Sequence, residues 1–242
     1  MMNGSPSEVM TRIARAPSLL VVCEFDGAIA VLAGLGSLPR TRAAIISGRS
    51  LASLSAVCPT DRDGARRYSI ELVGSDGMEI EAQLTLGLTP GARRMQRSLL
   101  HEAARIADAH PGVTVDAKPY GVALNVRGAE AHDGRRAIEQ LLEIARSMPQ
   151  RVYSQSRSEV LDLSVLPVGQ DWAIDALRRG TDATVFYAGN DQRALASLGS
   201  GDRGCCVGAG CADSSVRVAS PRALVELLVR LHRERACLLD PG

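Results

Sequence analysis

The chain has 242 residues, 45% of them apolar, and a formal net charge of +1. Such a chain folds around a sizeable core, in one domain or in two of modest size. Basic and acidic residues are interspersed, which excludes the one-sided charge needed to bind nucleic acid or anionic lipid. No apolar run reaches the ~18 residues of a membrane span, and the first residues lack a signal-peptide pattern, so we expect a cytoplasmic protein without nucleic-acid or membrane partners.

The cysteines and the single lysine limit the chemistry further. None of the six cysteines forms a Cys-x-x-Cys pair or has a histidine at zinc-finger spacing. This predicts neither a zinc site nor a disulfide framework, and we interpret the cysteines as small buried apolar side chains. Lys118 is the only lysine among 28 basic residues, so any step that needs a lysine must use it.

Short apolar runs alternate with helical patterns along the outer parts of the chain. The first runs lie at 18–25, 43–47 and 69–74, and similar runs return at 184–189 and 205–210. Strand-like runs separated by helical periodicity are typical of a parallel sheet flanked by helices.

The middle of the chain has a different order of elements. A helix is predicted to begin at Pro90, with Thr89 as its cap, and a second helix covers 138–145. Strand-like runs surround the second helix, at 113–117, 121–127, 151–155 and 159–165. This order predicts two helices covering one face of an antiparallel sheet.

After this segment the pattern of the first part resumes. A helix is predicted near 170–179, and a last helix starts with Ser220 as cap and Pro221 as its first residue. Residues after Ala236 are expected to be a frayed tail.

The predicted fold class is therefore α/β, with a Rossmann-like parallel-sheet core and an inserted α+β cap domain. The core domain comprises residues 1–83 and 166–242, and the cap domain comprises residues 84–165. Ligands are expected where the cap meets the carboxyl ends of the core strands.

Six short stretches follow these elements in a specific order. They are EFDG (24–27), IISGRSLASL (45–54), LVGSDGMEIE (72–81), DAKPYGVALNVRGA (116–129), LPVGQDWAIDAL (166–177) and YAGNDQRALASL (187–198). Their order and spacing resemble the haloacid-dehalogenase-like superfamily, and more narrowly the trehalose-6-phosphate phosphatase family. The resemblance covers nearly the whole chain.

The resemblance implies a phosphatase site at the first two stretches. In the family, a first aspartate attacks phosphorus and a second protonates the leaving sugar oxygen; here these positions hold Glu24 and Asp26. Ser47, with Gly48 and Arg49, matches the segment that binds the phosphoryl group, and the helix after it presents an amino end that attracts anions.

The same resemblance implies a magnesium site that is weakened here. Glu24 and Asp26 would share the ion with Asn190 and Asp191, but neutral Asn190 replaces one family acid and Ala194 another. The family's catalytic lysine has no counterpart, because Trp172 occupies its region.

In the cap, Lys118 and Arg127 match residues that face the sugar phosphate in the family. Asp76, in the core, stands where the family usually has a histidine, so the identity of the sugar is not carried over.

These losses lead to a hypothesis of impaired catalysis. A glutamate carries its carboxylate about 1 to 1.5 Å further out than an aspartate, and a misplacement of about 1 Å can slow a reaction on the order of 10²-fold. Loss of a preformed cation costs about 3 kcal/mol. We therefore expect a catalytically impaired relative of trehalose-6-phosphate phosphatase that binds a sugar phosphate or a protein partner without hydrolysing the ligand efficiently. The alternative is an active, divergent, magnesium-dependent phosphatase for trehalose 6-phosphate or a modified disaccharide phosphate.

Single residues leave other interpretations open. Glu24 is a nucleophile, a metal-binding or hydrogen-bonding acid, or a solvated remnant. Asp26 and Asp191 bind metal or serve as cap and turn residues, and Ser47 binds phosphate or ends a strand. Trp172 packs over the altered site or stacks on a sugar ring.

Two further residues have simpler alternatives. Lys118 is a ligand contact or an ordinary exposed lysine. Cys23 is not expected to replace the nucleophile, because alternation along a strand directs it away from the side of Glu24.

Overall fold

The computed structural model describes residues 6–58, 70–80, 87–157, 159–208, 211 and 214–239. It divides into two compact units, one formed by Met1–Leu84 with Gly169–Gly242 and the other by Thr85–Val168. The boundaries predicted from the sequence fall at 83/84 and 165/166. We call the first unit the core and the second the cap.

The strands and helices follow one another along the whole chain. The strands are β1 (Leu19–Cys23), β2 (Thr41–Ile46), β3 (Glu71–Gly74), β4 (Glu79–Ile80), β5 (Thr114–Lys118), β6 (Gly121–Asn125), β7 (Tyr153–Arg157), β8 (Val160–Ser164), β9 (Thr184–Ala188), β10 (Arg203–Val207) and β11 (Val216–Val218). The α-helices are α1 (Pro6–Ala14), α2 (Ile29–Gly36), α3 (Leu51–Val57), α4 (Pro90–Ala109), α5 (Ala131–Ser147), α6 (Gln170–Arg178), α7 (Gln192–Ala196) and α8 (Pro221–Leu239). Short 3₁₀ helices cover Asp26–Ala28 and Ser75–Gly77.

The core is built on a seven-stranded sheet of order β11-β10-β9-β1-β2-β3-β4. All of its neighbours pair in parallel except β3 and β4, which are antiparallel. Its strands β1, β2, β9 and β10 are buried on both faces over almost their whole length, so they read as apolar runs in the sequence, as parallel strands covered by helices do.

Alternation along the strands divides the core into two apolar layers. Val21 and Cys23 of β1 face one layer, with Leu32 of α2 and Leu228 of α8. Leu20 and Val22 face the other layer, which contains residues of α6 and α7. The period of two along β1 therefore assigns each side chain to one face of the sheet.

The cap has its own antiparallel sheet, of order β5-β6-β8-β7. Helix α4 packs on β5 and β6 and against α5. The buried positions of α4 recur every three or four residues, at Met95, Leu99, Ala103 and Ile106, and Thr89 caps the helix by accepting a hydrogen bond from Ala92 N. The predicted fold class, a parallel-sheet core with an inserted α+β unit, is confirmed.

Two predictions about the second half of the core were wrong. Helix α8 does not fray after Ala236 but continues to Leu239. Cys206 and Cys211 are joined by a disulfide and Cys237 is exposed, whereas Cys23, Cys58 and Cys205 are buried and form no disulfide. Whether two cysteines can bond depends on the distance between them in the folded chain, which cysteine spacing alone does not reveal. None of the described helices is long and apolar enough to cross a membrane.

Candidate functional site

Three loops meet at the carboxyl edge of the core sheet. Strand β1 lies between β9 and β2, and Cys23 is level with Ala188 on one side and Ile45 on the other. Glu24 follows β1, Ser47 follows β2, and residues 189–191 follow β9. Because neighbouring parallel strands end at the same edge, the fold brings these predicted site residues together.

Glu24 is held as a hydrogen-bond acceptor on the loop after β9. Its Oε2 accepts a hydrogen bond from Asn190 N at 2.7 Å, and its own N–H donates to Ala188 O at 3.0 Å. Gly189 makes room for the carboxylate, because a Cβ at this position would lie 2.6 Å from both Cγ and Cδ of Glu24. The hydrogen-bonding interpretation of Glu24 is thus confirmed, while roles as nucleophile or metal ligand stay predictions.

Tyr187 is a buried residue of this site that sequence reasoning missed. Its hydroxyl donates to Gln170 Oε1 at 2.9 Å and accepts from Asp191 N at 3.3 Å. Burial, and after it the negative charge of Glu24, raise the pKa of Tyr187, so the hydroxyl stays neutral beside the carboxylate. The sequence signal that could have identified Tyr187 is a tyrosine near the carboxyl end of a buried strand, since a buried tyrosine hydroxyl usually has a hydrogen-bond partner.

The side chain of Asn190 ties the loop after β9 to β10. Its Nδ2 donates to Val207 O at 3.0 Å, and its Oδ1 accepts from Val207 N at 2.9 Å. The amide therefore pairs with both backbone groups of one residue, as a neighbouring strand would. These two hydrogen bonds account for an asparagine at position 190 without a metal ion. The role of Asn190 as a metal ligand stays a prediction.

Asp191 caps α7, as the capping interpretation expects. Its Oδ1 accepts from Ala194 N at 2.9 Å, so one carboxylate oxygen satisfies a free N–H of the first helical turn. Arg193, the next charged residue of this helix, forms an ion pair with Asp171 at 2.7 Å.

The side chain of Asp26 lies outside the described part of the structure, and its backbone begins the first 3₁₀ helix. The acid and metal roles predicted for it stay predictions. Cys23 contributes to the layer of α1, α2 and α8, and its sulfur accepts from Phe25 N at 3.4 Å. Its position on the opposite face of β1 from Val22 agrees with the expectation that it does not replace the nucleophile.

The magnesium site implied by the resemblance fits the described residues only in part. Carboxylates such as those of Glu24 and Asp191 are suitable ligands for this hard cation. Against that, the Asn190 oxygen and one oxygen of Asp191 already accept backbone N–H groups. Among the described side chains, no group of three His, Cys, Asp or Glu residues lies close enough together to hold a metal.

The segment after β2 forms a compact turn. Ser47 is buried, its Oγ accepts from Arg49 N at 3.3 Å, and its carbonyl accepts from Asp76 N at 2.9 Å. Arg49 is exposed. The turn interpretation of Ser47 is confirmed, and phosphate binding by Ser47, Gly48 and Arg49 stays a prediction.

One part of the phosphate-binding expectation does not hold at the amino end of α3. Glu79 Oε2 accepts from Leu51 N at 2.9 Å and from Ser75 Oγ at 2.6 Å. Ser50 Oγ accepts from Ser53 N at 3.2 Å. The chain's own carboxylate and hydroxyl thus occupy the end of this seven-residue helix, which the sequence pattern had suggested for an external anion.

Asp76 lies in the same turn and is buried in the left-handed conformation, with φ 56° and ψ 38°. Aspartate tolerates this conformation better than most residues with a Cβ. Gly77 follows with φ 100°, where a Cβ would lie within 2.6 Å of the Gly169 carbonyl carbon. The turn therefore requires glycine at 77 and accepts aspartate at 76.

Trp172 is half-buried and packs against the apolar layer of α6 and α7. This contact agrees with the packing interpretation of Trp172. Stacking on a sugar ring stays a prediction.

In the cap, the two predicted sugar-phosphate residues differ in environment. Lys118 is buried and forms an ion pair with Asp162 at 2.6 Å, so the interpretation as an ordinary exposed lysine was wrong. Arg127 is exposed and pairs with Glu159 at 3.1 Å. The ligand roles of both residues stay predictions.

No protein-family model matches the sequence, and no curated protein matches it either. Solved structures do match. The C-terminal domain of trehalose-6-phosphate phosphatase from C. albicans is 14% identical, with a TM-score of 0.73 over 94% of this chain and 97% of that domain. The C-terminal domain of the Candida albicans trehalose synthase regulatory protein is 10% identical, with a TM-score of 0.72 over 93% and 98% of the two chains.

The sucrose-phosphatase of Synechocystis, solved in complex with sucrose and phosphate, is 16% identical, with a TM-score of 0.52 over 88% of this chain and 98% of that one. At these identities the similarity establishes the architecture, and it confirms at the level of the fold the resemblance found in the motifs. The chain therefore has the fold of trehalose-6-phosphate phosphatases, a haloacid-dehalogenase-like fold.

Proposed function

We propose that this protein binds a sugar phosphate at the carboxyl edge of the core sheet and hydrolyses it slowly or not at all. The observation that carries the proposal is the hydrogen bond of 2.7 Å from Asn190 N to Glu24 Oε2. It holds the carboxylate at the nucleophile position against the loop after β9. The bond engages Oε2 and so fixes the direction of the whole carboxylate. A nucleophile must instead direct its other oxygen at phosphorus, in line with the leaving group.

The neighbours of Glu24 supply no obvious replacement for the missing lysine. Tyr187 and Gln170, which are hydrogen-bonded to each other at 2.9 Å beside it, are both neutral. Among the described residues, no ion pair involves Glu24. Developing charge on a phosphoryl group would therefore lack the cation that the family's lysine supplies beside the nucleophile, a loss of about 3 kcal/mol or on the order of 10² in rate.

Magnesium binding is part of the proposal, in a weakened form. Glu24, Asp26 and Asp191 would supply the carboxylates, with Asn190 in place of a fourth acid. Because neutral amide oxygens hold this cation less firmly than carboxylates, we expect weak magnesium binding.

Binding without turnover is supported by what the site keeps. Ser47 lies at the end of β2, and exposed Arg49 follows it two residues later. The sucrose-phosphatase that shares the fold was solved with sucrose and phosphate. An arginine and a hydroxyl at a strand end are groups that recognise phosphate in many proteins.

A second candidate is a regulatory role through a protein partner. It is favoured by the similarity to the C-terminal domain of a trehalose synthase regulatory protein, whose TM-score of 0.72 is close to that of the phosphatase domain. In this case the same fold would act by binding protein.

Calorimetric titration with trehalose 6-phosphate, glucose 6-phosphate and trehalose, each with and without magnesium, tests the proposal. We expect a phosphosugar to bind and unphosphorylated trehalose to bind much more weakly. Arg49→Gln should weaken binding about tenfold through loss of one charge-assisted contact. Arg222→Gln, a change of an exposed arginine on α8, serves as the control. Absence of binding by every sugar phosphate would contradict the proposal and favour the protein-partner role.

A double variant tests whether Glu24 and Trp172 are the cause of the impaired hydrolysis. Glu24→Asp combined with Trp172→Lys returns a shorter carboxylate and a cation to the site. We expect phosphate release from trehalose 6-phosphate to rise at least about tenfold over the wild type. Equal release by both proteins would mean that these two positions do not account for the impairment.

A further inference from the structure

The disulfide between Cys206 and Cys211 adjoins the residue that holds Glu24. Cys206 is on β10, and Cys211 is in the connection to β11. Asn190 Oδ1 lies 3.4 Å from Cys206 Sγ and 3.7 Å from Cys211 Sγ. The amide of Asn190 is therefore packed against both sulfur atoms.

Asn190 also links β10 to Glu24 through its hydrogen bonds. Its side chain pairs with the N–H and the carbonyl of Val207, which follows Cys206 directly. Its backbone N–H donates to Glu24 Oε2 at 2.7 Å. A displacement of the sulfur atoms would thus move Asn190. The side chain of this residue is hydrogen-bonded to Val207 of β10, and its backbone N–H is hydrogen-bonded to Glu24.

Reduction must produce such a displacement. Two bonded sulfur atoms lie about 2.05 Å apart, whereas non-bonded heavy atoms settle about 3.5–4.0 Å apart, so the sulfurs must separate by roughly 1.5 Å. Cys206 and Cys211 are both buried, which leaves little free space to absorb the change. Reduction also creates two S–H donors next to Asn190 Oδ1, which would compete with Val207 N for this oxygen.

We propose that the Cys206–Cys211 disulfide is a reversible redox site whose state controls how firmly Asn190 holds Glu24. A dithiol reductant supplies the reaction. One of its thiolates attacks a sulfur of the disulfide to form a mixed disulfide, and its second thiol then closes to a cyclic disulfide. Cys206 and Cys211 leave as two thiols, having gained two electrons and two protons. Because the sulfurs are buried, the exchange proceeds through local opening around Cys206 and Cys211.

The redox site does not depend on the proposed ligand. If a sugar phosphate binds at Glu24, its affinity becomes dependent on the redox state. The test below reads the protein itself, so a failure to find a ligand and a failure of the redox proposal give different results.

Peptide mapping after alkylation establishes the chemistry. Native protein equilibrated with oxidised dithiothreitol should yield Cys206 and Cys211 in one disulfide-linked pair, and protein equilibrated with reduced dithiothreitol should yield both as alkylated thiols. Recovery of both as free thiols under the oxidising condition would overturn the proposal.

The effect of reduction on the hydrogen bond between Asn190 and Glu24 is measured as the hydrogen-exchange rate of the Asn190 amide, by NMR on the oxidised and the reduced wild-type protein. We expect reduction to raise this rate about tenfold, to the value shown by oxidised Glu24→Ala, which lacks the acceptor. The amide of Val21 in β1 should keep its protection, which distinguishes local release from global unfolding. An Asn190 rate that is the same in both forms would overturn the proposal.

Cys205→Ala is the matched control, because Cys205 is buried on β10 beside Cys206 and forms no disulfide. This variant should respond to the reductant as the wild type does. The double variant Cys206→Ser/Cys211→Ser keeps a hydroxyl donor at each position and cannot form the disulfide. It should show the fast rate with or without reductant, and a slow rate in that variant would contradict the proposed control of Glu24.

Discussion

At the scale of single residues, Gly189 is what allows Glu24 to fold back onto the loop after β9. A Cβ at this position would lie 2.6 Å from Glu24 Cδ and closer still to the Tyr187 hydroxyl oxygen. Gly189→Ala must therefore displace the carboxylate or the ring. We expect it to lower the free energy of unfolding by about 1–3 kcal/mol in urea denaturation and to release the Asn190 amide.

Gly201→Ala provides the matched control, since a Cβ there would meet nothing within 4 Å. It should change the free energy of unfolding very little. If both alanine variants were equally stable, the close packing described around Glu24 would be wrong.

The thiol of Cys205 gives a pH-dependent prediction. Burial raises its pKa to about 12 from the ordinary 9.0, so it remains a thiol in the native protein at about pH 8.5. Iodoacetamide should therefore modify exposed Cys237 and spare Cys205. Because the raised pKa belongs to the folded state, the contribution of this group to stability is full below pH 9 and declines as the pH rises towards 12. Mass spectrometry after alkylation checks the first part, and rapid native labelling of Cys205 would contradict it.

The sequence predicts which residues of the candidate site follow the core strands, but not the contacts that these residues make. Glu24, Ser47, Asn190 and Asp191 were identified from motifs that follow strands, and parallel pairing brings them to one edge. The bonds of Asn190 to Val207 depend on the spacing between β9 and β10. That spacing is a tertiary property, which no local pattern encodes.

At the scale of elements, Glu79 of β4 joins the start of α3 to the turn after β3. Its carboxylate accepts from Leu51 N and from Ser75 Oγ. Glu79→Ala would leave both donors without this acceptor. We expect a loss of about 1–2 kcal/mol in the free energy of unfolding, measured by urea denaturation.

Glu226→Ala on α8 is the control, because Glu226 is exposed and pairs with exposed Arg222 one turn away. Such surface pairs contribute little. A similar effect of both substitutions would show that Glu79 does not stabilise α3 in solution.

The elements most accessible to sequence reasoning were those with strong periodicity or clear caps. The buried strands β1, β2, β9 and β10 and the long amphipathic helix α4 appear where the pattern predicts them. The two-residue strand β4 and the three-residue strand β11 were not predicted, because edge strands this short carry no detectable period.

At the scale of the whole molecule, Arg235 connects the end of the chain to its beginning. It is fully buried on α8, and its guanidinium donates to the carbonyls of Ala14, Ala16 and Arg40 and to Thr41 Oγ1. All these acceptors are neutral. Burial lowers the pKa of Arg235, but a guanidinium stays charged at any physiological pH.

Arg235→Gln should therefore destabilise the core strongly. Most of the carbonyls would lose their donor, so we expect a loss of about 2–4 kcal/mol in the free energy of unfolding, measured by urea denaturation. Arg233→Gln, on the exposed side of the same helix, should have little effect. Equal stability of the two variants would contradict the anchoring role of Arg235.

We propose that the fold of a sugar-phosphate phosphatase is kept in this protein for binding rather than for efficient hydrolysis. Phosphorus NMR of trehalose 6-phosphate mixed with an equal amount of the protein and excess magnesium reports both processes in one sample. We expect a broadened or shifted phosphate-ester signal and no growing signal of inorganic phosphate. A steadily growing inorganic phosphate signal that disappears in the Asp26→Asn variant would contradict it and show that the Glu24 site is an active phosphatase.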